Sequence, residues 1–194
     1  VGEKLMLKGE RCASAKCSME RKPMPPGQRP SRPRKPSDHE LRLREKQKVR
    51  YSYGMMEKQF YLFFSKAERS PGPTDDNLKQ LLERRLDNAV YRLGFAESRK
   101  QARQIVRHGS IMVNGRKVDI PSFLVRPGDV IGWRERGISK EPYKMALARV
   151  DSQLIPSWLS LDRENLSGRV LTLPAPEEIA AKFDGKKIVE YYSR

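Results

Sequence analysis

Arg99, Arg103 and Arg107 recur at intervals of four residues, which on a helix places three guanidiniums in one stripe. Like charges so placed repel one another unless an anion lies across them. Arginine suits that anion being a phosphate, because its planar fork grips one with two hydrogen bonds. Lys100 sits beside the stripe, Arg85 and Arg92 precede it, and Arg116 and Lys117 follow it. Between Glu97 and Arg107 no carboxylate occurs that could neutralise the stripe from within its own helix, so a bound polyanion is expected. Two other sets of residues could carry chemistry. Cys12 and Cys17 are the only cysteines, and two thiols cannot close a four-ligand zinc site, which leaves free thiols or a disulfide. His39 and His108 are the only histidines; neither has a nucleophile or acid partner at a motif spacing, and there is no glycine-rich loop to cradle a phosphate. Catalysis is not expected.

The rest of the chain agrees with a polyanion partner. Its 194 residues carry a net charge of +16, with 37% hydrophobic and 33% charged residues. That length allows one or two domains with a modest core. A charge this large opposes compaction unless an anionic partner offsets it. No run of about 18 apolar residues occurs, and no basic-then-apolar leader opens the chain, so nucleic acid rather than a membrane is the expected partner. Residues 1–82 carry 19 Lys and Arg against 10 Asp and Glu, 83–150 carry 15 against 7, and 151–194 carry 6 against 7. The basic part therefore faces the polyanion, and the neutral tail packs on the fold or on a protein.

The elements that position these residues follow from punctuation and periodicity. Six prolines and six Lys or Arg residues crowd the stretch from Arg21 to Ser37, which excludes helix and sheet and reads as a linker or as an extended basic arm. Ser37 or Asp38 caps a polar helix through Arg42, Arg44, Lys46, Lys48 and Arg50, which lies in solvent or on a phosphate backbone. Met56, Phe60, Phe63, Phe64 and Ala67 form a core stripe, and Ser70-Pro71-Gly72-Pro73 breaks it. Thr74 caps a run with Leu78, Leu81, Leu82, Leu86, Ala89, Val90 and Leu93 on one side, with a break expected near Arg84. Ser98 to Gln101 has capping-box form, Ala102, Ile105 and Val106 are the buried stripe, and Gly109 ends the helix. Asn114-Gly115 signals a tight hairpin after Ile111 to Val113, and Pro127-Gly128-Asp129 a turn before a strand at Val130 to Trp133. Strands are expected at Trp158 to Leu161, Arg169 to Leu173 and Ile188 to Tyr192, with a short helix over Glu177 to Lys182. A small helical surface beside a hairpin suits shape-reading of RNA, although charge spacing alone does not exclude DNA.

Runs of residues carry a resemblance as well. Arg85-Leu86-Asp87-Asn88-Ala89-Val90-Tyr91-Arg92-Leu93-Gly94-Phe95, Ser98 to Gly109, Val113-Asn114-Gly115-Arg116-Lys117-Val118 and Val125 to Asp129 resemble the S-four RNA-binding module. The flanks Pro25-Pro26-Gly27-Gln28, Leu43 to Lys48, Glu57-Lys58-Gln59-Phe60 and Tyr191-Tyr192-Ser193-Arg194 are similar to bacterial-type small-subunit ribosomal protein four, over nearly the whole chain. That resemblance implies an α+β fold in which an N-terminal helical domain is completed by a C-terminal segment, with the small α+β module inserted. The layout is a basic arm at 1–36, a helical domain at 37–83, the module at 84–149 and a C-terminal segment at 150–194 that packs back on the N-terminal domain.

The resemblance further implies a structural constituent of the small subunit on the cytoplasmic ribosome, with an organelle matrix as the other location. Such a protein binds the 5′ domain of 16S rRNA early, nucleates its assembly, contacts small-subunit ribosomal protein five and influences accuracy near the mRNA entry channel. The RNA-contacting residues would be Arg29, Arg32, Arg34, Lys35, Arg42, Arg44, Lys46, Lys48, Arg50, Arg85, Arg92, Arg99, Lys100, Arg103, Arg107, Arg116 and Lys117. Some relatives carry a further Cys-x-x-Cys pair upstream, with which Cys12 and Cys17 would be half of a zinc site. Family members usually extend further upstream than Val1, so a trimmed N-terminus is expected. One departure from the family is local: Gly27-Gln28 leads into Arg29-Pro30 where the family has Gly-Gln-His-Gly, which keeps the charge there. A rival comes from Arg85-Leu86-Asp87, which resembles the nucleophile triplet of pseudouridine synthases. The chain is too short for the large mixed sheet of those enzymes. A stress-type S-four protein would be shorter and lack the proline arm.

Overall fold

The computed structural model describes residues 2–22, 27, 35–150, 154–179 and 183–193. The arm bearing Arg29, Arg32 and Arg34 lies outside them. In the N-terminal stretch, α1 (Glu10–Ala13) and α2 (Ser18–Arg21) are single turns. Ser37 caps α3 (Asp38–Ser52) by accepting a hydrogen bond from the Glu40 amide. The expected core stripe forms α4 (Glu57–Glu68), with Phe60, Phe64 and Ala67 buried; Met56 precedes the helix and is exposed. The next helical run is indeed two helices. α5 (Thr74–Glu83) stops before Arg84-Arg85, and α6 (Leu86–Arg92) restarts after them. Thr74 is the first helical residue rather than the cap, and Pro73 occupies the cap position.

α7 (Arg99–Arg107) leads into the hairpin of β1 (Ile111–Val113) and β2 (Arg116–Lys117), then β3 (Val130–Trp133), α8 (Glu135–Ile138) and α9 (Glu141–Arg149). The hairpin turn needs a left-handed backbone at both central residues, and Asn114 (φ 51°) and Gly115 (φ 76°) supply it. β4 (Leu159–Asp162) and β5 (Ser167–Val170) complete an antiparallel sheet of order β2-β1-β3-β5-β4. A 3-10 turn at Pro176–Glu178 replaces the expected helix there, and residues 180–182 lie outside the described ones.

The third expected strand, Ile188 to Tyr192, is instead part of helix α10 (Gly185–Tyr192), capped by Asp184. So short an apolar run carries no period that separates strand from helix, and packing decides. Ile188 joins the helical core, with Val189 and Tyr192 packed against it, and α10 lies on α3 and α5. The segment after 150 therefore divides: β4 and β5 extend the module's sheet through β3, whereas the 3-10 turn and α10 return to the N-terminal helices, with Gln80 of α5 donating to the Pro174 carbonyl. The fold is α+β.

Two hydrophobic cores result. One holds Val49, Phe60, Phe64, Leu78, Leu82 and Ile188 among the helices, and the other holds Leu86, Val90, Leu93, Ile105, Ile111 and Ile131 under the sheet. In the second core Gly168, on β5, lies against Leu93; a Cβ there would sit 2.4 Å from both Leu93 methyls, and Leu93 is fully buried. Replacing Gly168→Ala should therefore destabilise the chain by about 1–3 kcal/mol through overpacking. Urea unfolding monitored at Trp133 and Trp158 measures it, and an unchanged midpoint would refute the close fit.

Candidate nucleic-acid interface

The α7 helix is amphipathic by construction. Ser98 accepts the Gln101 amide hydrogen, while Gln101 Oε1 accepts the Glu97 amide hydrogen at 2.7 Å, so the box is displaced by one residue. Ala102, Ile105 and Val106 face the core, which leaves Lys100, Gln104, Arg107 and His108 exposed on the far side. Gly109 (φ 65°) ends the helix, and a Cβ there would meet Lys117 Cε at 2.5 Å. The hairpin thus folds over the helix end, where Arg134 Nη1 also donates to the Gly109 carbonyl at 3.3 Å. Lys100 and Arg107 on α7 and Arg116 on the hairpin are exposed and have no ion-pair partner among the described residues. Lys117, also exposed, pairs with Asp119 at 2.7 Å.

The other arginines of the stripe behave differently. The anion beside Arg99 is Glu83, the last residue of α5, only 1% exposed. Its Oε1 accepts from Tyr53 OH at 2.6 Å and Arg92 Nη2 at 2.8 Å, and its Oε2 from Asn88 Nδ2 at 2.8 Å and Arg92 Nε at 2.9 Å. Arg99 Nη2 lies 3.8 Å away, its Nε donates to Asn88 Oδ1 at 2.7 Å, and its guanidinium stacks between the rings of Tyr53 and Tyr91. Asp87 does the same for two more arginines: Arg85 holds it with two hydrogen bonds of 3.0 and 2.6 Å, and Arg103 Nη1 stands 3.7 Å off. Four arginines thus share two buried carboxylates, and the excess positive charge of the cluster is carried outward by the half-buried Arg99 and Arg103.

Burial alone would raise the Glu83 carboxyl, but the hydrogen bonds and charge of Arg92, with Arg99 and Tyr53, hold it below the ordinary 4.5. The Tyr53 hydroxyl is pushed well up by burial and by the Glu83 charge. Arg92 is raised, because Glu83 outweighs its desolvation.

Several expected RNA contacts are corrected by this geometry. Arg85 is 0% exposed and committed to Asp87, with its ring-facing side over Phe63, so it is a core residue. Lys46 is 3% exposed: α10 covers it, and its ammonium pairs with Glu57 at 2.6 Å beneath the Tyr191 and Tyr192 rings. Arg92 is half-buried and committed to Glu83. The rest of α3 is largely paired too: Arg42 with Glu190 of α10, Arg44 with Glu40, Lys48 with Glu3, and Arg50 with Gln47 and Glu57. Lys35 is exposed just before α3. Lys58, Lys66 and Arg69 are exposed as well and are not singled out by the sequence, because α4 declares itself by its aromatic stripe and its outer face has no motif. Sequence reading missed Arg134 as well, which only the pairing of β3 with β1 brings to the end of α7.

Cys17 is buried and Cys12 half-buried as free thiols, with Cys12 Sγ accepting from the Lys8 amide. No group of three or more His, Cys, Asp or Glu residues that could hold a metal exists among the described residues. Two sulfurs do not fit a tetrahedral zinc site, and the half-site expectation is not supported.

Comparison with known proteins decides the family. A family model described as S4 domain matches residues 84–131, and one described as Ribosomal protein S4/S9 N-terminal domain matches residues 1–83. Small ribosomal subunit protein uS4 of Dehalococcoides mccartyi is 52% identical over 193 residues, covering 100% of this chain and 93% of its own length. The uS4 proteins of Thermus thermophilus and Magnetococcus marinus are 52% and 50% identical, over 100% and 98% of this chain and 93% and 92% of theirs. The chain belongs to the uS4 family of ribosomal proteins. It is a structural family, and the enzyme rival falls with it: Asp87, the would-be nucleophile, is buried in the grip of Arg85. No helix among the described residues is long and apolar enough to cross a membrane.

The depressed Glu83 carboxyl makes stability pH-dependent in a definite direction. Its pairs contribute fully above the unfolded value near 4.5, and the contribution is lost as pH falls through the lower folded value. Glu57, lowered by Lys46 and Tyr192 against its own desolvation, adds to the same trend. Urea unfolding between about pH 6 and about pH 3 should show declining stability, with a shallower decline in Glu83→Gln. Equal slopes in the two proteins would exclude Glu83 as a source.

Proposed function

We propose that this chain is an rRNA-binding structural constituent of the small ribosomal subunit on the cytoplasmic ribosome. It engages the 5′ domain of 16S rRNA early and nucleates assembly there. It contacts small-subunit ribosomal protein five near the mRNA entry channel, where it influences decoding accuracy. The unit at 84–149 reads RNA, the arm at 1–36 and the helices at 37–83 add backbone contacts, and the segment at 150–194 closes the fold. One observation carries the reading: Lys100, Arg107 and Arg116 stand exposed without a carboxylate, while the arginines beside them are neutralised internally. A solvated basic face would gain from pairing all of them. Leaving these three open suits a phosphate backbone, whose contacts position a protein without reading bases. Membership of the uS4 family supports RNA over DNA as that backbone.

The proposal separates cations that touch RNA from cations that build the protein. Alanine at Lys100, Arg107 and Arg116 together should weaken binding to a 16S rRNA 5′-domain fragment and reduce the salt slope by roughly 2–3, at about 0.7–0.9 per lost contact. An unchanged slope would place the RNA elsewhere. Preference for a duplex DNA of equal length would overturn the choice of polyanion. Arg85→Ala should instead cost about 3–5 kcal/mol of folding stability, by leaving Asp87 buried without its partner. Wild-type stability in that variant, by urea unfolding, would contradict the buried pair.

A further inference from the structure

The two cores are separate clusters; Leu124 of the module packs on the helical core where they join, and the polar contacts there centre on one carboxylate. Glu83 ends α5 of the helical unit and accepts from Tyr53, at the end of α3 in the same unit. From the other unit it accepts from Asn88 and Arg92 of α6, and the charge of Arg99 on α7 lies beside it. A second tie crosses the same seam, where Arg103 on α7 donates to the Gly54 carbonyl after α3 at 3.4 Å. An apolar joint of this size would bury as much surface and could slide. Hydrogen bonds have preferred directions, so the three that reach the two Glu83 oxygens across the seam from Asn88 and Arg92 fix an angle.

Each unit carries exposed cations without an ion-pair partner among the described residues: Lys58 and Lys66 on α4 with Arg69 just after it, and Lys100, Arg107 and Arg116 on α7 and the hairpin. With the angle fixed, these two sets present phosphate sites at one set spacing. An RNA whose backbone strands match that spacing gains both sets at once, whereas a uniform duplex gains only one. We propose that Glu83 is the residue that determines specificity for folded rRNA, acting as a positioning residue through Tyr53, Arg92 and Arg99 rather than by touching RNA. This rests on the rRNA-binding reading above.

The test uses the full chain with spin labels at Glu68→Cys and Glu135→Cys, exposed acidic positions outside both cation sets, in a background of Cys12→Ser and Cys17→Ser. Three versions are compared: otherwise unchanged, Glu83→Gln and Asn88→Ala. The last removes a donor that reaches Glu83 across the seam without stranding a charge, since Arg92 still holds the carboxylate, and so decides the matter if Glu83→Gln does not fold. The unchanged protein should give one narrow label distance, and the variants a broader distribution. Affinity for a 16S rRNA 5′-domain fragment should fall by about tenfold or more, while affinity for a uniform RNA duplex stays within about twofold. An unchanged distance distribution in both variants overturns the proposal, as does an equal loss of affinity for both RNAs. If the unchanged protein does not prefer the rRNA fragment, the functional reading itself fails, and the label distances still judge the joint.

Discussion

A single buried carboxylate organises the basic region of this protein. Taking Glu83 out of water is costly, and the cost is offset only because Tyr53, Asn88 and Arg92 saturate both oxygens and Arg99 adds its charge. The consequences reach in two directions. Inward, α3, α5, α6 and α7 are tied to one point. Outward, the basic stripe is sorted into arginines that are spoken for and cations that are not. A chain with this much positive charge must avoid repelling itself apart before its partner arrives, and internal carboxylates at the centre of the basic region achieve that while the exposed rim stays open.

The same device recurs at the other end of the helical unit. Lys46 is covered by α10, pairs with Glu57, and lies under two tyrosine rings, while Tyr192 donates to the same Glu57 oxygen at 2.8 Å. Burial and the Glu57 charge both raise the Tyr192 hydroxyl, so it stays a donor throughout the working pH range. Here too a cation that reads as an RNA contact in sequence closes the fold. The near-neutral C-terminal segment follows from this: it supplies Glu190 to Arg42 and aromatic faces to Lys46, and so compensates charge that the basic N-terminal half cannot compensate alone.

The sheet shows how the following segment helps to stabilise the module. β3 is the strand on which the hairpin and the C-terminal strands meet, β1 on one edge and β5 on the other. Gly168 lets β5 approach Leu93, which ties the returning chain to α6. The module is therefore held by the segment that follows it as well as by the seam at Glu83.

Local chemistry in the sequence was enough to specify much of this. Caps at Ser37 and Ser98, the Asn114-Gly115 hairpin, the interruption after Glu83 and the stripes of α4 to α7 depend on residues within a few positions of one another, and they form where local rules place them. So does the RNA-binding character, since net charge and its placement are sums over the chain. Tertiary structure alone decided which cations remain available. Arg92 and Lys46 differ from Arg107 and Arg116 in nothing that spacing reveals; they differ in having a carboxylate or a covering helix brought to them from elsewhere in the chain, Glu57 and α10 to Lys46, Glu83 to Arg92, whereas the partner of Arg85 is the nearby Asp87 and the fold added its burial. The strand expected at Ile188 to Tyr192 became a helix for a related reason, since a short apolar run takes the shape of the surface it lands on. Pairing and burial are properties of distance in space, and a charge pattern along one helix does not contain the carboxylates of its neighbours.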